Sequence, residues 1–81
     1  MNLLGKKYFR LPRREIGYLR FILESYDGLA FVRTLDPQEA LVEIVFPESR
    51  RRDADALLSS LVEELSIIET APPEPGRYPE L

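Results

Sequence analysis

The side chains best suited to chemistry in this chain are five arginines in two groups. Arg50, Arg51 and Arg52 form an unbroken run where a helix is predicted to start, and Arg13 and Arg14 begin another predicted helix. A guanidinium group forks onto carboxylate or phosphate oxygens, and the free N–H groups of a helix N-terminus attract anions. These five arginines are therefore the candidate anion-binding residues. The alternative is a solvated face whose charge is offset by neighbouring acidic residues, and no glycine-rich phosphate loop lies nearby.

The chain lacks the residues on which the common catalytic mechanisms depend. The chain has no histidine, cysteine or tryptophan, so it has no Ser-His nucleophile, no thiol, no disulfide and none of the usual zinc sites. Carboxylates are plentiful, but none has the ligand spacing of a calcium loop, and they suit helix caps and turns. We therefore predict that the protein is not an enzyme and has no catalytic residue, no metal site and no cofactor.

Size and composition indicate one soluble domain. The chain has 81 residues with a net charge of −3, and this total hides an asymmetry: residues 1–33 carry +4 and residues 34–81 carry −7. No apolar run is long enough to span a membrane, and no signal peptide is evident. With no cysteine, we expect a cytoplasmic protein. We expect a flexible N-terminus over residues 1–5, a domain over 6–70, and a proline-rich extended or disordered tail over 71–81.

Hydrophobic spacing predicts the order β-α-β-β-α, with a fourth strand as an open alternative. Two-residue alternation predicts strands, and three- to four-residue spacing predicts amphipathic helices. We expect Asp36 and Pro37 to form the turn of a hairpin. Ser66–Thr70 is either a short strand or the tail of the second helix. The other predicted elements are a strand over Lys6–Leu11, a helix over residues 13–25, a hairpin over Leu29–Phe46 and a helix over Arg51–Leu65.

Two aromatic residues of the first helix lie off its apolar stripe. The stripe contains Ile16, Leu19, Ile22 and Leu23, whereas Tyr18 and Phe21 fall on a different side of the helix. They either flank the core or form a second packing surface.

Local signals also mark the ends of the helices. Gly28 is expected as the left-handed residue that ends the first helix. Ser49 or Asp53 is expected to cap the second.

Together with Tyr8 of the first strand, Tyr18 and Phe21 make up the candidate interaction surface.

The predicted fold class is α+β, a ferredoxin-like split βαβ sandwich with two helices on one face of a three- or four-stranded sheet. From the right-handed crossover rule we expect the third strand beside the first and parallel to it, with the second strand outermost. A missing fourth strand would leave the first strand with an open edge that invites pairing. RNA-binding domains share this order, but Glu43 and the lack of a basic-Gly-aromatic pattern in the third strand argue against nucleic-acid binding.

Two segments resemble a known family. Leu23-Glu24-Ser25-Tyr26-Asp27-Gly28-Leu29 and Arg33-Thr34-Leu35-Asp36 resemble a small bacterial domain family of unknown function, and the likeness runs from about Tyr8 to Leu65. The resemblance implies a bacterial, cytoplasmic protein and brings no activity with it. A broader likeness is to ACT domains, which dimerise and bind amino acids, although the loop Leu11-Pro12-Arg13-Arg14 lacks their usual glycine.

Two functional hypotheses follow. The first is a non-enzymatic interaction module that forms a homodimer or binds another protein, because the domain is small, is expected to have an open strand edge and carries the extra aromatic stripe of Tyr18 and Phe21. The alternative is an ACT-like regulatory domain that binds a small anionic metabolite through Arg13 or Arg14, or through the Asp27-Gly28 turn.

Overall fold

A computed structural model describes residues 3–79, and it has the predicted α+β architecture. The segment 66–70, for which two alternatives were open, contains a short strand. Parts of the predicted segments 1–5 and 71–81 lie outside the described residues, namely residues 1, 2, 80 and 81. The elements are β1 (Leu4–Arg10), α1 (Arg13–Glu24), β2 (Phe31–Asp36), β3 (Leu41–Pro47), α2 (Arg51–Glu64) and β4 (Ile68–Thr70), with one 3₁₀ turn, Glu48–Arg50, before α2.

The four strands form one antiparallel sheet in the order β2-β3-β1-β4. The expectation that β3 runs parallel to β1 is wrong. The α1 crossover makes β1 and β2 parallel to each other, and the β2–β3 hairpin reverses the chain once more. Since β3 lies between β1 and β2, it must be antiparallel to both. β3 is central, as expected. Its residues 41–46 are all buried, because the strand is covered on both faces.

Both helices pack on one face of the sheet, as predicted. The α1 stripe supplies buried Leu19 and Leu23, with Ile16 and Ile22 packed at its margin. The core holds ten buried residues from both layers and is extended by the smaller cluster of Leu29, Phe46 and Ala54. Its members are Phe9, Leu11, Leu19, Leu23, Val42, Ile44, Leu58, Leu61, Leu65 and Ile67.

The helix ends differ from the predictions in detail. The last helical residue of α1 is Glu24 with Ser25 as its C-cap, so Gly28 does not end the helix. Gly28 does adopt a left-handed φ of 69°, in the turn that follows. Neither Ser49 nor Asp53 caps α2, because the 3₁₀ turn leads directly into that helix and no side chain bonds to its first N–H groups.

The hairpin turn forms as predicted, because the Asp36 carboxylate accepts hydrogen bonds from the N–H groups of Gln38 and Glu39. This Asx arrangement replaces backbone hydrogen bonds within the turn.

The helices run antiparallel to each other, as two contacts show. Tyr18 in the middle of α1 donates to Glu64 at the end of α2, and Arg50 before α2 donates to the carbonyl of Asp27 after α1. The start of each helix therefore lies beside the end of the other. A shallow groove lies between the end of α1 and the first half of α2, and its lining includes Tyr26, Leu29, Ala56, Leu57 and Ser60.

Part of the β1 edge that faces β4 is uncovered. β4 pairs only with Tyr8, Phe9 and Arg10 of β1. Within residues 3–79, the first half of β1, Leu4–Lys7, has no strand on its β4 side. The predicted open edge of β1 is thus half closed.

Candidate interaction surfaces

The structure separates the two arginine groups. Arg13 and Arg14 stand at the start of α1, and Arg50, Arg51 and Arg52 stand at the start of α2. Because the helices are antiparallel, these starts lie at opposite ends of the helical layer. The five candidate anion-binding residues therefore do not converge on one ligand.

Two of the α2 arginines already have partners. Arg51 makes a bidentate pair with Glu48, with Nε–Oε1 and Nη2–Oε2 distances of 2.6 and 2.7 Å. This hydrogen-bonded pair lowers the pKa of Glu48 and raises that of Arg51. Arg50 donates to the Asp27 carbonyl at 3.1 Å and lies 3.8 Å from a carboxylate oxygen of Asp53. These contacts hold the turn after α1 and the 3₁₀ turn against the start of α2, so Arg50 and Arg51 have a structural role.

The outward side of the two helices, here called the helix face, carries an exposed aromatic side chain. Phe21 is 69% exposed and points away from the sheet. Across the groove, the outward side of α2 presents the small, exposed residues Ala56, Ser59 and Ser60. A protruding ring and a shallow strip of small side chains therefore lie side by side on one surface.

Most charges at the ends of the two helices have the sign opposite to the one that the helix dipole favours there. Each helix begins with arginines beside a single acidic residue, Glu15 or Asp53, and neither helix has a basic residue in its last turn. The carboxylates at the helix ends are Glu24 in α1 and Glu63 and Glu64 in α2. The helix macrodipole favours the opposite arrangement, by a few tenths to about 1 kcal/mol per exposed charge. Within residues 3–79, Arg14 and Glu63 have no ion pair. These charges do little to stabilise their own helices.

Tyr18 links the two helices, because its hydroxyl donates a hydrogen bond to Glu64 Oε1 at 2.8 Å. This hydrogen bond, reinforced by the negative charge of Glu64, raises the pKa of Tyr18. Because the pKa is higher in the folded than in the unfolded chain, the bond stabilises the fold at pH below 10. The stabilisation is lost as the pH rises through the folded-state pKa.

We predict that Glu64→Gln lowers the pKa of Tyr18 towards that of a free tyrosine. An ultraviolet titration of the phenolate would measure the change, with Glu63→Gln as the control that leaves it unaltered. Equal titration curves for Glu64→Gln and the unaltered protein would contradict the contact.

The opposite side of the sheet, here called the sheet face, contains a buried ionic cluster. Tyr8, Glu43 and Arg33 lie side by side across β1, β3 and β2. The Glu43 carboxylate accepts hydrogen bonds from Tyr8 Oη at 3.0 Å and from Arg33 Nε at 3.1 Å. Arg33 Nη2 lies 2.9 Å from the same carboxylate. Glu43 is only 3% exposed, and it is the one buried charged residue of the described chain.

The C-terminal segment 71–79 covers part of the sheet face. It has no helix or strand, and it turns back so that the Tyr78 hydroxyl donates to Asp36 Oδ2 at 3.3 Å. Pro73 and Tyr78 are half-buried. Together with Tyr8, Arg33 and Glu43, the segment lines a cleft of about 60 Å³. The segment therefore closes over the ionic cluster.

The predicted interaction surface is split between two layers. Tyr18 and Phe21 belong to the helix face, whereas Tyr8 belongs to the sheet face and is engaged with Glu43. Sequence reasoning missed Arg33 and Glu43 as a pair. One available signal was a glutamate in the middle of the apolar run Leu41–Phe46, which needs a cationic partner if that strand is central.

Within the described part of the chain, no three acidic side chains come together to hold a metal ion. In residues 3–79 no helix combines the length and apolar character needed to cross a bilayer.

Comparison with known proteins identifies one family. A family model described as a domain of unknown function, DUF4911, matches residues 9–76. The match spans most of the chain and includes the segment from β4 to Gly76. No curated protein and no solved structure shows significant similarity to the chain.

Proposed function

The chain belongs to the DUF4911 family, and we propose that it is a non-enzymatic module that pairs with a second copy through its helix face. The observation that carries the proposal is Phe21, a large aromatic side chain left 69% exposed beside a strip of small residues. Aromatic rings are enriched among the residues that contribute most to interface stability.

A two-fold arrangement would make the helix face complementary to itself. If the axis runs parallel to the helices, α1 of one copy lies over α2 of the other in the antiparallel sense. The contacts Tyr18–Glu64 and Arg50–Asp27 set the relative level of the helices. At that level Phe21 of each copy meets Ala56, Ser59 and Ser60 of the other. Each ring then fills the shallow strip opposite it.

Charge complementarity supports the same arrangement. Arg14 near the start of α1 would face Glu63 near the end of α2 in the second copy, and the pair would occur twice. Neither residue has an ion pair within residues 3–79. The two helices have 12 and 14 residues and are about 18 and 21 Å long, so a standard interface of roughly 800 Å² per partner would involve most of the helix layer.

Light scattering on a size-exclusion column tests the proposal. We expect a mass twice the 9.4 kDa of the chain. Phe21→Glu should raise the dissociation constant at least about 30-fold, because a central aromatic anchor contributes about 2 kcal/mol or more. Phe31→Glu is the matched control: Phe31 is a second exposed phenylalanine, on the edge strand β2 and away from the helix face. A monomer at millimolar concentration would contradict the proposal.

A charge exchange tests the geometry of the dimer. Arg14→Glu and Glu63→Arg should each weaken association, since each places two like charges face to face twice in the dimer. The double variant Arg14→Glu/Glu63→Arg should restore association. If the double variant is weaker than both single variants, the two residues do not face each other.

The ACT-like alternative has less support, because Arg13 and Arg14 at the start of α1 lie far from the Asp27-Gly28 turn after that helix, and the Asp27 carbonyl already accepts a hydrogen bond from Arg50. It predicts a ligand that stabilises the chain by about 2.7 kcal/mol at one hundred times its dissociation constant. A thermal-shift screen over amino acids and nucleotides would detect such a ligand, and Arg13→Ala/Arg14→Ala would abolish its effect. A flat screen together with a dimer favours the interaction module.

The proposal also includes the cellular setting. We place the module in the bacterial cytoplasm, because the sequence has no cysteine and its segments 23–29 and 33–36 resemble a bacterial domain family. A protein partner in addition to the second copy would be found by a pull-down from native lysate.

A further inference from the structure

We propose that the sheet face is a binding site for a proline-rich peptide segment of another protein, and that the chain's own residues 71–79 occupy this site in cis. This proposal does not rest on dimer formation, because the sheet face and the helix face lie on opposite sides of the domain.

The composition of the occupying segment is the first support. Residues 71–79 are Ala-Pro-Pro-Glu-Pro-Gly-Arg-Tyr-Pro, and they adopt no helix or strand. Prolines restrict the backbone before binding, and Pro75-Gly76 forms a turn in which the Arg77 N–H donates to the Glu74 carbonyl at 3.1 Å. Little conformational entropy is therefore lost when such a segment docks. Small domains commonly recognise proline-rich ligands in this way, by means of shallow grooves that contain aromatic side chains.

The site itself is a groove built on rigid strands. The segment and the sheet together line two adjoining clefts, one beside Arg10 and Leu41 and one beside Tyr8, Arg33 and Glu43. Pro73 contributes to both clefts. The sheet surface next to the segment thus combines apolar and aromatic side chains with charged ones, as ligand sites commonly do.

The segment lies outside the hydrophobic core. Between residues 71–79 and the sheet, the only side-chain hydrogen bond in the described chain is that from Tyr78 to Asp36, at 3.3 Å. None of the residues 71–79 belongs to the hydrophobic core. The segment can therefore leave the sheet face without opening the core, and a second segment of the same chemistry can take its place.

The test uses a fluorescein-labelled synthetic peptide of residues 71–81 as the probe. The full-length chain carries Pro73→Ser and Tyr78→Ala, which loosen its own segment without truncation. A linked segment acts at a local concentration in the millimolar range. We therefore expect this variant to bind the probe at least about tenfold more tightly than the unaltered chain, in which the probe must compete with the resident segment.

Matched probes establish specificity. A probe carrying Tyr78→Ala and a probe of scrambled sequence should each bind the loosened variant at least about tenfold more weakly, because they lack the Tyr78 anchor or its spacing from the prolines. Equal binding of all three probes would overturn the proposal. So would a loosened variant that binds the probe no more tightly than the unaltered chain.

A milder variant covers the case in which the double substitution unfolds the domain. Tyr78→Phe removes one hydroxyl group and keeps the ring, so it should increase probe binding by a smaller factor in the same direction. Amide NMR should place the shifts caused by the probe in β2 and in the Asp36–Leu41 turn. Shifts confined to the helices, or no gain in affinity for Tyr78→Phe when the double variant is unfolded, would also overturn the proposal.

Discussion

Arg33→Met should lower the free energy of unfolding by about 3–5 kcal/mol, because it leaves a buried carboxylate without its cation. Glu43 is 3% exposed and Arg33 supplies both of its charged contacts. Methionine keeps most of the apolar stem of arginine, so the loss reports mainly on the charge. Denaturant unfolding monitored by circular dichroism would measure it.

A surface ion pair of the same chain is the matched control. Arg10 and Glu39 are about half exposed, with an Nη2–Oε2 distance of 3.3 Å. Arg10→Met should cost less than about 1 kcal/mol, because water screens an exposed pair. The double variant Arg33→Met/Glu43→Gln should recover most of the loss, since glutamine is neutral and still accepts the hydrogen bond from Tyr8. Equal losses for Arg33→Met and Arg10→Met would mean that Glu43 is solvated in solution.

Gly5→Ala should destabilise the domain by about 1–3 kcal/mol, through overpacking of the core. A β-carbon at this position would lie 2.5 Å from Cζ of Phe46, far inside van der Waals contact. The Phe46 ring cannot easily move away, because it is fully buried and the Arg51 guanidinium lies 5.1 Å from its centre. The glycine is thus required by the ring that faces it on the neighbouring strand.

Gly17→Ala is the matched control, and it should change the free energy of unfolding in the opposite direction. Gly17 lies in the middle of α1 with nothing within 4 Å of its added β-carbon. Alanine there should stabilise the domain by about 0.5–1 kcal/mol, because glycine is a poor helix former. Both variants are best compared in the Phe21→Glu background, so that association does not enter the measurement. A neutral Gly5→Ala would show that β1 and β3 can separate enough to admit a methyl group.

Local patterns were sufficient to predict the elements of this domain. The spacing of Leu19 and Leu23 places α1 on the core, and the Asp36-Pro37 turn defines the hairpin. The off-stripe positions of Tyr18 and Phe21 were also evident, because helical geometry decides which side a residue faces. Each of these features depends only on residues within about ten positions of one another.

The direction of β3, the split of Tyr8 from Phe21, and the pairing of Arg33 with Glu43 were decided by tertiary structure. Each depends on strand order and register, which bring together residues 10 to 35 positions apart. Periodicity does not encode which strands become neighbours.

The five arginines illustrate the same limit. By sequence they are two basic groups with the same chemistry, and the antiparallel helices place them at opposite ends of one layer. The proline-rich segment, too, was expected to be extended or disordered on composition alone. Only the fold places Asp36 where Tyr78 can reach it. The sequence by itself thus determined the elements and their apolar sides, while the packing of those elements determined which polar and aromatic groups share a surface.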